Sequence, residues 1–395
     1  MKIVKLGEVC KVFNGGTPDT KVKSYWNGEN AWVAPAEMGK LVTPFLGETR
    51  RYLTDAGLSN SSAQMLPINS VIMSSRAPIG HLIINTVPMA TNQGCKGLVP
   101  NKDVDFKFLY YFLFANKEYL NSLGSGTTFV EISGTTLKSV EMPLPPLPEQ
   151  KTIVERLDAA FAEIDQLEAN LRKKNTSVKA LFESVVDSKL QAIISKSELR
   201  KLKTVVDIAR GGSPRPIDSY LTQEPSGIPW IKIGDATASG KYITTTAQRI
   251  TRDGISRSRV VQPGDFILSN SMSFGRPYIM GIEGCIHDGW LVLSDPSQNF
   301  QQDYLYFLLG SNYVFQQFNR LAAGSTVRNL NIELAGSVEI PVPTLEVQRK
   351  LSEQFQSLEA ETTALRLKSQ KDREIIASLK QSILSSAFIE ESDVA

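Results

Sequence analysis

Asn92-Gln93 and His287-Asp288 stand at matched positions in a chain that repeats itself. The amides of Asn and Gln match the donor and acceptor on an adenine edge, and an Asp carboxylate matches the cytosine amino group. Ser75-Arg76 and Arg276 follow apolar stretches that read as buried strands. A guanidinium forks onto guanine or grips a phosphate. Gly15-Gly16-Thr17-Pro18 and Gly211-Gly212-Ser213-Pro214, the latter running into Arg215, demand a turn. Such a turn can lay backbone N–H groups on a phosphate. Arg252 and Arg257, with Arg249 and Arg259, form a basic cluster that matches Arg50-Arg51. Thr127, Thr128, Ser325, Thr326 and Arg328 lie in short Gly-containing loops. Each group also has a plain reading, as a structural turn, a solvated arginine or an ordinary polar loop.

Motifs for catalysis are missing. The sequence holds no GxxxxGK[ST] phosphate loop, no Asn/Asp-Pro-Pro-Tyr/Phe and no GxGxxG. His81 and His287 lack metal-ligand spacing and triad context, and Cys10, Cys95 and Cys285 are isolated. The expectation is a chain with no catalytic residue, no metal and no cofactor of its own.

The elements that carry these residues come in duplicate. LGEVCKVFNGGTPDT (6–20) returns as LKTVVDIARGGSPRP (202–216), and LPINSVIMSS (66–75) as VQPGDFILSN (261–270). Trp32 and Trp230 each lead a strand. Phe106–Leu120 and Asp303–Phe318 read as helices. VEMPLPPLPEQ and VEIPVPTLEVQ then lead into two long segments without Gly or Pro, whose prolines stiffen the lead-in.

Those segments carry a heptad seam. In the first it runs Ile153, Leu157, Ala160, Ile164, Leu167, Leu171, Lys174, Val178, Leu181, Val185, Ser188. In the second, 198 residues on, it runs Leu351, Phe355, Leu358, Thr362, Leu365, Ser369, Asp372, Ile376, Leu379, Ile383, Ser386. Steps that alternate four and three define a coiled-coil stripe, and so narrow a stripe needs a partner helix. Each rod of about 40 residues is roughly 60 Å long. The expected fold is α+β, with two similar α/β domains at 1–145 and 198–343. Long helices at 146–197 and 344–395 separate them and form an antiparallel intramolecular coiled coil with pseudo-twofold symmetry.

The net charge of +2 permits a nucleic-acid partner without demanding one, and the excess sits in the globular segments. Residues 1–148 hold 14 Lys+Arg against 11 Asp+Glu. No apolar run reaches membrane-spanning length and no signal-peptide core opens the chain, so a cytoplasmic location is expected. Two similar globules at fixed separation suit duplex DNA read at two unlike half-sites.

GlyGlyThrPro near the start, GlySerGlyThrThr at 124–128, the LeuProProLeuProGluGln lead-in and the duplication of all three resemble the specificity subunit of Type I restriction–modification systems. The resemblance covers essentially the whole chain. It implies two target-recognition domains, each reading half of a split double-stranded DNA site, and helices that space them. It also implies that the helices dock two methyltransferase subunits and that restriction subunits join the complex. S-adenosylmethionine is then expected on the methyltransferase, and ATP and Mg on the restriction subunit. The second lead-in, ThrLeuGluValGln, departs from the pattern. The competing expectations are a non-catalytic protein-interaction scaffold and a self-contained DNA enzyme.

Overall fold

The computed structural model describes residues 2–388 apart from 42, 77, 127–129, 271–273, 296 and 323–329. Thr127, Thr128, Ser325, Thr326 and Arg328 therefore lie outside the described residues. The chain forms two compact units. One joins the residues up to Leu171 to those from Gln370 onward, and the other is Arg172–Ser369. The units thus cut both long helices near their middles, where the sequence suggested boundaries at the helix ends.

In the first unit a five-stranded sheet runs in the order Cys10–Asn14, Cys95–Pro100, Val71–Ser74, Leu82–Asn85, Phe45–Leu46. Its strands pair antiparallel except the last, which is parallel to its neighbour. Beside it lies a three-stranded sheet of Arg51–Leu53, Trp26–Val33 and Met89–Thr91. The second unit repeats the five-stranded sheet in the same order: Asp207–Arg210, Trp290–Ser294, Phe266–Ser269, Pro277–Met280, Tyr242–Ile243. Its other sheet has five strands, with Trp230 paired to Cys285 as Trp32 is paired to Ala90. Continuous apolar runs such as Val71–Ser74 and Phe266–Ser269 are buried at every position, which suits central strands covered on both faces.

The expected helices 106–120 and 303–318 each break in two. Phe106–Ala115 stops where Asn116 Nδ2 donates to the Phe112 carbonyl, and Lys117–Ser122 follows. Gln302–Gly310 stops where Ser311 Oγ donates to the Leu308 carbonyl, and Asn312–Ala322 follows. A short polar side chain takes the last carbonyl, and the helix ends there.

The long helices are Leu147–Ile194 and Leu345–Phe388. In the first unit they run antiparallel: Val154 and Leu157 share a core with Leu384, and Asp165 pairs with Lys380 at 3.7 Å. In the second, Val186 and Leu190 share a core with Leu351 and Phe355, and Asn175 Nδ2 donates to Ser369 Oγ at 2.9 Å. The seam differs from the expected one at alternate positions. Leu157, Ile164, Leu171 and Val178 lie on it as expected, and Ile153 is half-buried at its edge. Between them the inward residues are Val154, Phe161, Asn175 and Phe182, while Leu167, Lys174 and Leu181 are exposed. Phe161 and Phe182 bury more area than Ala160 and Leu181 offer, and they turn the helix by one position. On the second helix Leu351, Phe355, Leu358, Thr362, Ser369, Ile376 and Ile383 face inward or lie half-buried, whereas Leu365 and Leu379 are exposed. The mid-seam contact is an Asn–Ser hydrogen bond. Lys174 is exposed beside it, whereas Asp372 stays half-buried at the seam.

One residue anchors each globule on its long helix. Gln150, fully buried, accepts from Asp105 N and donates to the carbonyls of Asp103 and Pro145. Gln348 repeats this with Gln301 N, Asn299 O and Pro343 O. The departure of the second lead-in from the pattern leaves this glutamine in place.

Candidate nucleic-acid interface

Each Gly-Gly turn lies against the loop that leads into the strand beside it. Gly15 N donates to Cys95 O and Gly16 N to Thr91 O. Gly211 N donates to Trp290 O and Gly212 N to Ile286 O. These N–H groups are therefore spent inside the fold, and the glycines serve close approach. A Cβ on Gly15 would stand 1.9 Å from Asn92 O, and one on Gly211 would stand 2.1 Å from His287 O. Trp32 Nε1 donates to Gly16 O, and Arg51 stacks 3.5 Å over the Trp26 ring beside it. Arg50 is exposed on the neighbouring residue.

What the turn presents differs between units. In the first, Asn92 is tied into the turn: Oδ1 accepts from Gly94 N at 2.8 Å and Nδ2 donates to Thr17 Oγ1 at 2.7 Å. Gln93, next to it, is exposed and makes no hydrogen bond among the described residues. Arg76 lies over Gly94 and faces Glu131 at 4.0 Å. Glu131 also takes Lys96 Nζ and Ser75 Oγ, each at 3.1 Å. Sequence reasoning missed Glu131 and Lys96. The one available signal was a lysine inside the otherwise small and apolar CKGLVP strand. Cys95 beside them is inert, with its thiol pushed up to about 12 by burial.

In the second unit Ser213 Oγ donates to Asp288 Oδ1 at 2.7 Å, and Arg215 donates to Oδ2 at 3.2 Å. The Asp288 backbone carbonyl accepts from Arg210 Nε and Asn270 Nδ2, both at 2.9 Å. Arg259 donates to Arg210 O, and Arg257 lies 5.8 Å from the Tyr220 ring. Arg252 is exposed on the same short helical turn. The Ser213 hydrogen bond first, and the charges of His287 and Arg215 further, hold the Asp288 carboxyl below the usual carboxylate range. His287 caps the turn: Gly289 N donates to its Nδ1 at 2.8 Å. Asn92 does the same for Gly94, so Asn92 corresponds to His287, and Gln93 to Asp288.

Arg276 does not join this group. Ser269 N donates to Arg276 O as Ser74 N donates to His81 O, so Arg276 stands where His81 stands, across the hairpin from the position of Arg76. It lines a cavity with Phe182, Tyr306, Gly310 and Glu359. Among the described residues no cluster of His, Cys, Asp or Glu could hold a metal, and no helix is long and apolar enough to cross a membrane.

The duplicated turn is matched by a duplicated family match. The family model described as the Type I restriction modification DNA specificity domain covers residues 1–175 and again 194–375. The chain belongs to this family. A Type I restriction enzyme specificity subunit of Methanocaldococcus jannaschii, MjaIX, is 29% identical over 58% of this chain and 57% of its own length. A second from that organism, MjaVIII, is 26% identical over 72% and 70%. The EcoR124I/EcoR124II specificity subunit of Escherichia coli is 29% identical over 39% of each chain. The match to MjaIX thus spans little more than half of that relative. The fold is shared with a chain from an assembled type I R-M system, at TM-score 0.72 and 20% identity over 100% of this chain and 98% of that one. It is shared also with the HsdS subunit of Thermoanaerobacter tengcongensis, at TM-score 0.53 and 18% identity over 100% and 97%.

For this specificity-domain chain, the His287 cap makes the second unit sensitive to pH. Burial, more than the Asp288 charge opposes it, pushes the imidazole below its ordinary range, and Lys232 adds to this. A proton on Nδ1 would displace the Gly289 N–H. The unfolded chain takes up that proton near pH 6.5, and the folded unit only at lower pH. Stability from this group is thus complete above about pH 6.5 and is lost as pH falls below it. Denaturation of wild type and H287N at pH 7.5 and 5.5 checks this. Asparagine can cap the turn as Asn92 does, so H287N is expected to lose less stability between the two pH values.

Proposed function

We propose that each unit reads one half of an asymmetric, bipartite double-stranded DNA target, and that the long helices set the spacing and dock two methyltransferase subunits. One observation carries this reading. The same Gly-Gly turn is built twice, yet it presents Gln93 and Arg76 in one unit and Arg215 on Asp288 in the other. Identical scaffolding with unlike hydrogen-bonding groups is what two unlike half-sites require. Glycine turns that use their own N–H groups leave phosphate contact to arginines such as Arg50, Arg51, Arg252 and Arg257.

The displaced seam leucines support the docking role. Leu167 and Leu365 are 198 residues apart, as are Leu181 and Leu379, and all four are exposed, at 49%, 40%, 60% and 45%. Each unit carries one member of each pair, which suits two copies of one partner. S-adenosylmethionine belongs on that partner, ATP and Mg on a restriction subunit that joins the complex, and catalysis is not asked of this chain.

The test is co-expression with the methyltransferase subunit, followed by genome-wide mapping of methylated adenines. A single asymmetric bipartite motif is expected, and exchange of residues 1–145 for those of another specificity chain should change one half of it. A stable complex that methylates no defined motif would remove the DNA-reading role.

A further inference from the structure

Resting on that DNA-reading role, the geometry of the second unit points to a specific base. We propose that Arg215, aimed by the Asp288 carboxylate, selects a guanine in the half-site read by residues 198–343, and that Asp288 is a positioning residue and does not itself read cytosine. Both Asp288 oxygens are engaged, Oδ1 by Ser213 and Oδ2 by Arg215. A cytosine amino group would have to share one of these oxygens with a donor already held there. The backbone around Asp288 is fixed from two sides by Arg210 and Asn270. The carboxylate is therefore a rigid, ionised post, and its free function is to hold a guanidinium.

Arg215 itself is displayed. Its side chain is 80% exposed, and among the described residues its hydrogen bond is the one to Asp288. A surface ion pair of that exposure adds little to stability, so stability does not account for the arrangement. One N–H of five is used, and the rest of the fork is open to the two acceptors, O6 and N7, that guanine alone presents in the major groove. The residue stands between Pro214 and Pro216, which restrict the backbone that presents it. Nearby charges are basic: Arg210 and Arg259 are bonded into the same cluster. That field favours the electronegative edge of guanine and disfavours an exposed amino group. The first unit has Asp19 at the corresponding place after its Gly-Gly-Thr-Pro turn, and that carboxylate caps its own loop by accepting from Lys21 N. The guanine is thus expected in one half-site and not dictated by this position in the other.

Selection from a randomised duplex library with the full-length chain, in complex with its methyltransferase subunits, tests this. Wild type, R215K and D288N are compared, and each guanine of the selected half-site is then replaced by 7-deazaguanine. Wild type is expected to lose roughly ten- to a hundred-fold in affinity at one guanine when N7 is removed. R215K, which keeps the charge but not the planar fork, should relax selection at that position alone and respond less to 7-deazaguanine there. D288N should lie between the two, with the other half-site unchanged. If R215K selects the wild-type motif, with binding equal or uniformly weaker, Arg215 is a surface or phosphate-contact residue and the proposal fails. If D288N relaxes a cytosine position instead, Asp288 is the reader and the proposal likewise fails. If wild type selects no motif, the DNA-reading role falls, and this inference with it.

Discussion

Replacing Gln150 with Ala is expected to destabilise the first unit by about 3 kcal/mol. The side chain is fully buried and makes three hydrogen bonds, to Asp105 N, Asp103 O and Pro145 O. Truncation leaves all three backbone groups without their partner, at roughly 1–3 kcal/mol for each that water cannot reach. It also leaves a cavity. Gln150→Glu should be worse. The Asp105 N–H keeps its acceptor, but two carbonyl oxygens then face a carboxylate in a buried site. Amide exchange distinguishes this from a general loss of stability. Protection should fall first at 103–108 and in the first turns of the Leu147–Ile194 helix, because these are the segments that the glutamine joins. Gln348→Ala should do the same at 299–305 and in the first turns of the Leu345–Phe388 helix.

That clamp also marks the limit of what the sequence could say. The lead-in motif and its duplication were legible, and so were the paired long helices and the two globules, because period and repetition are local properties of a string. The job of the glutamine was not, since its partners are backbone atoms more than forty residues away in the case of Asp103 and Asp105, and backbone has no sequence signature. The seam was read one position off at alternate steps. Leu167 and Leu181 fit a strict heptad, but Phe161 and Phe182 outweigh them once each globule packs against the helix. Arg76 and Arg276 lie in matching hairpins, as read, but at opposite ends of them. Each is an arginine shortly before a proline, Pro78 or Pro277, yet the hairpins superpose through Gly80 and Gly275, both at positive φ. Asn92 and His287 were read as candidate base contacts, and their side chains cap the turns, accepting from Gly94 N and Gly289 N. Their neighbours Gln93 and Asp288 differ from them only in where the loop aims the side chain, and that depends on the carbonyls of residues 91 and 286, which accept from Gly16 and Gly212.

Gly15→Ala is expected to erase half of the specificity without erasing binding. A methyl group there must stand 1.9 Å from the Asn92 carbonyl oxygen and 2.5 Å from Thr91 Oγ1, contacts that real side chains do not make. The Gly-Gly turn and the 91–95 loop cannot both keep their places, because each is fixed to the other by Gly15 N to Cys95 O, Gly16 N to Thr91 O and Asn92 Nδ2 to Thr17 Oγ1. What moves is the loop that presents Gln93 and supports Arg76. The groups proposed to read bases in the first unit are therefore misplaced together, at a cost of several kcal/mol in that unit, on the scale of overpacking and lost hydrogen bonds. The arginines proposed to contact phosphate lie on other segments, so non-specific affinity and its salt dependence should persist. In motif selection, one half of the target should then become degenerate, with each formerly fixed base pair losing about 1–3 kcal/mol of discrimination. Gly211→Ala, whose methyl would meet His287 O at 2.1 Å, should do the same to the other half. Gly234→Ala is the control. It lies in the helix Ile233–Ser239 with open space around it, so a methyl there should leave the motif intact and stabilise the helix by about 0.5–1 kcal/mol. If both turn variants keep the full motif, the loops at 91–95 and 286–290 are scaffolding, and the readers must be sought on other segments of each unit.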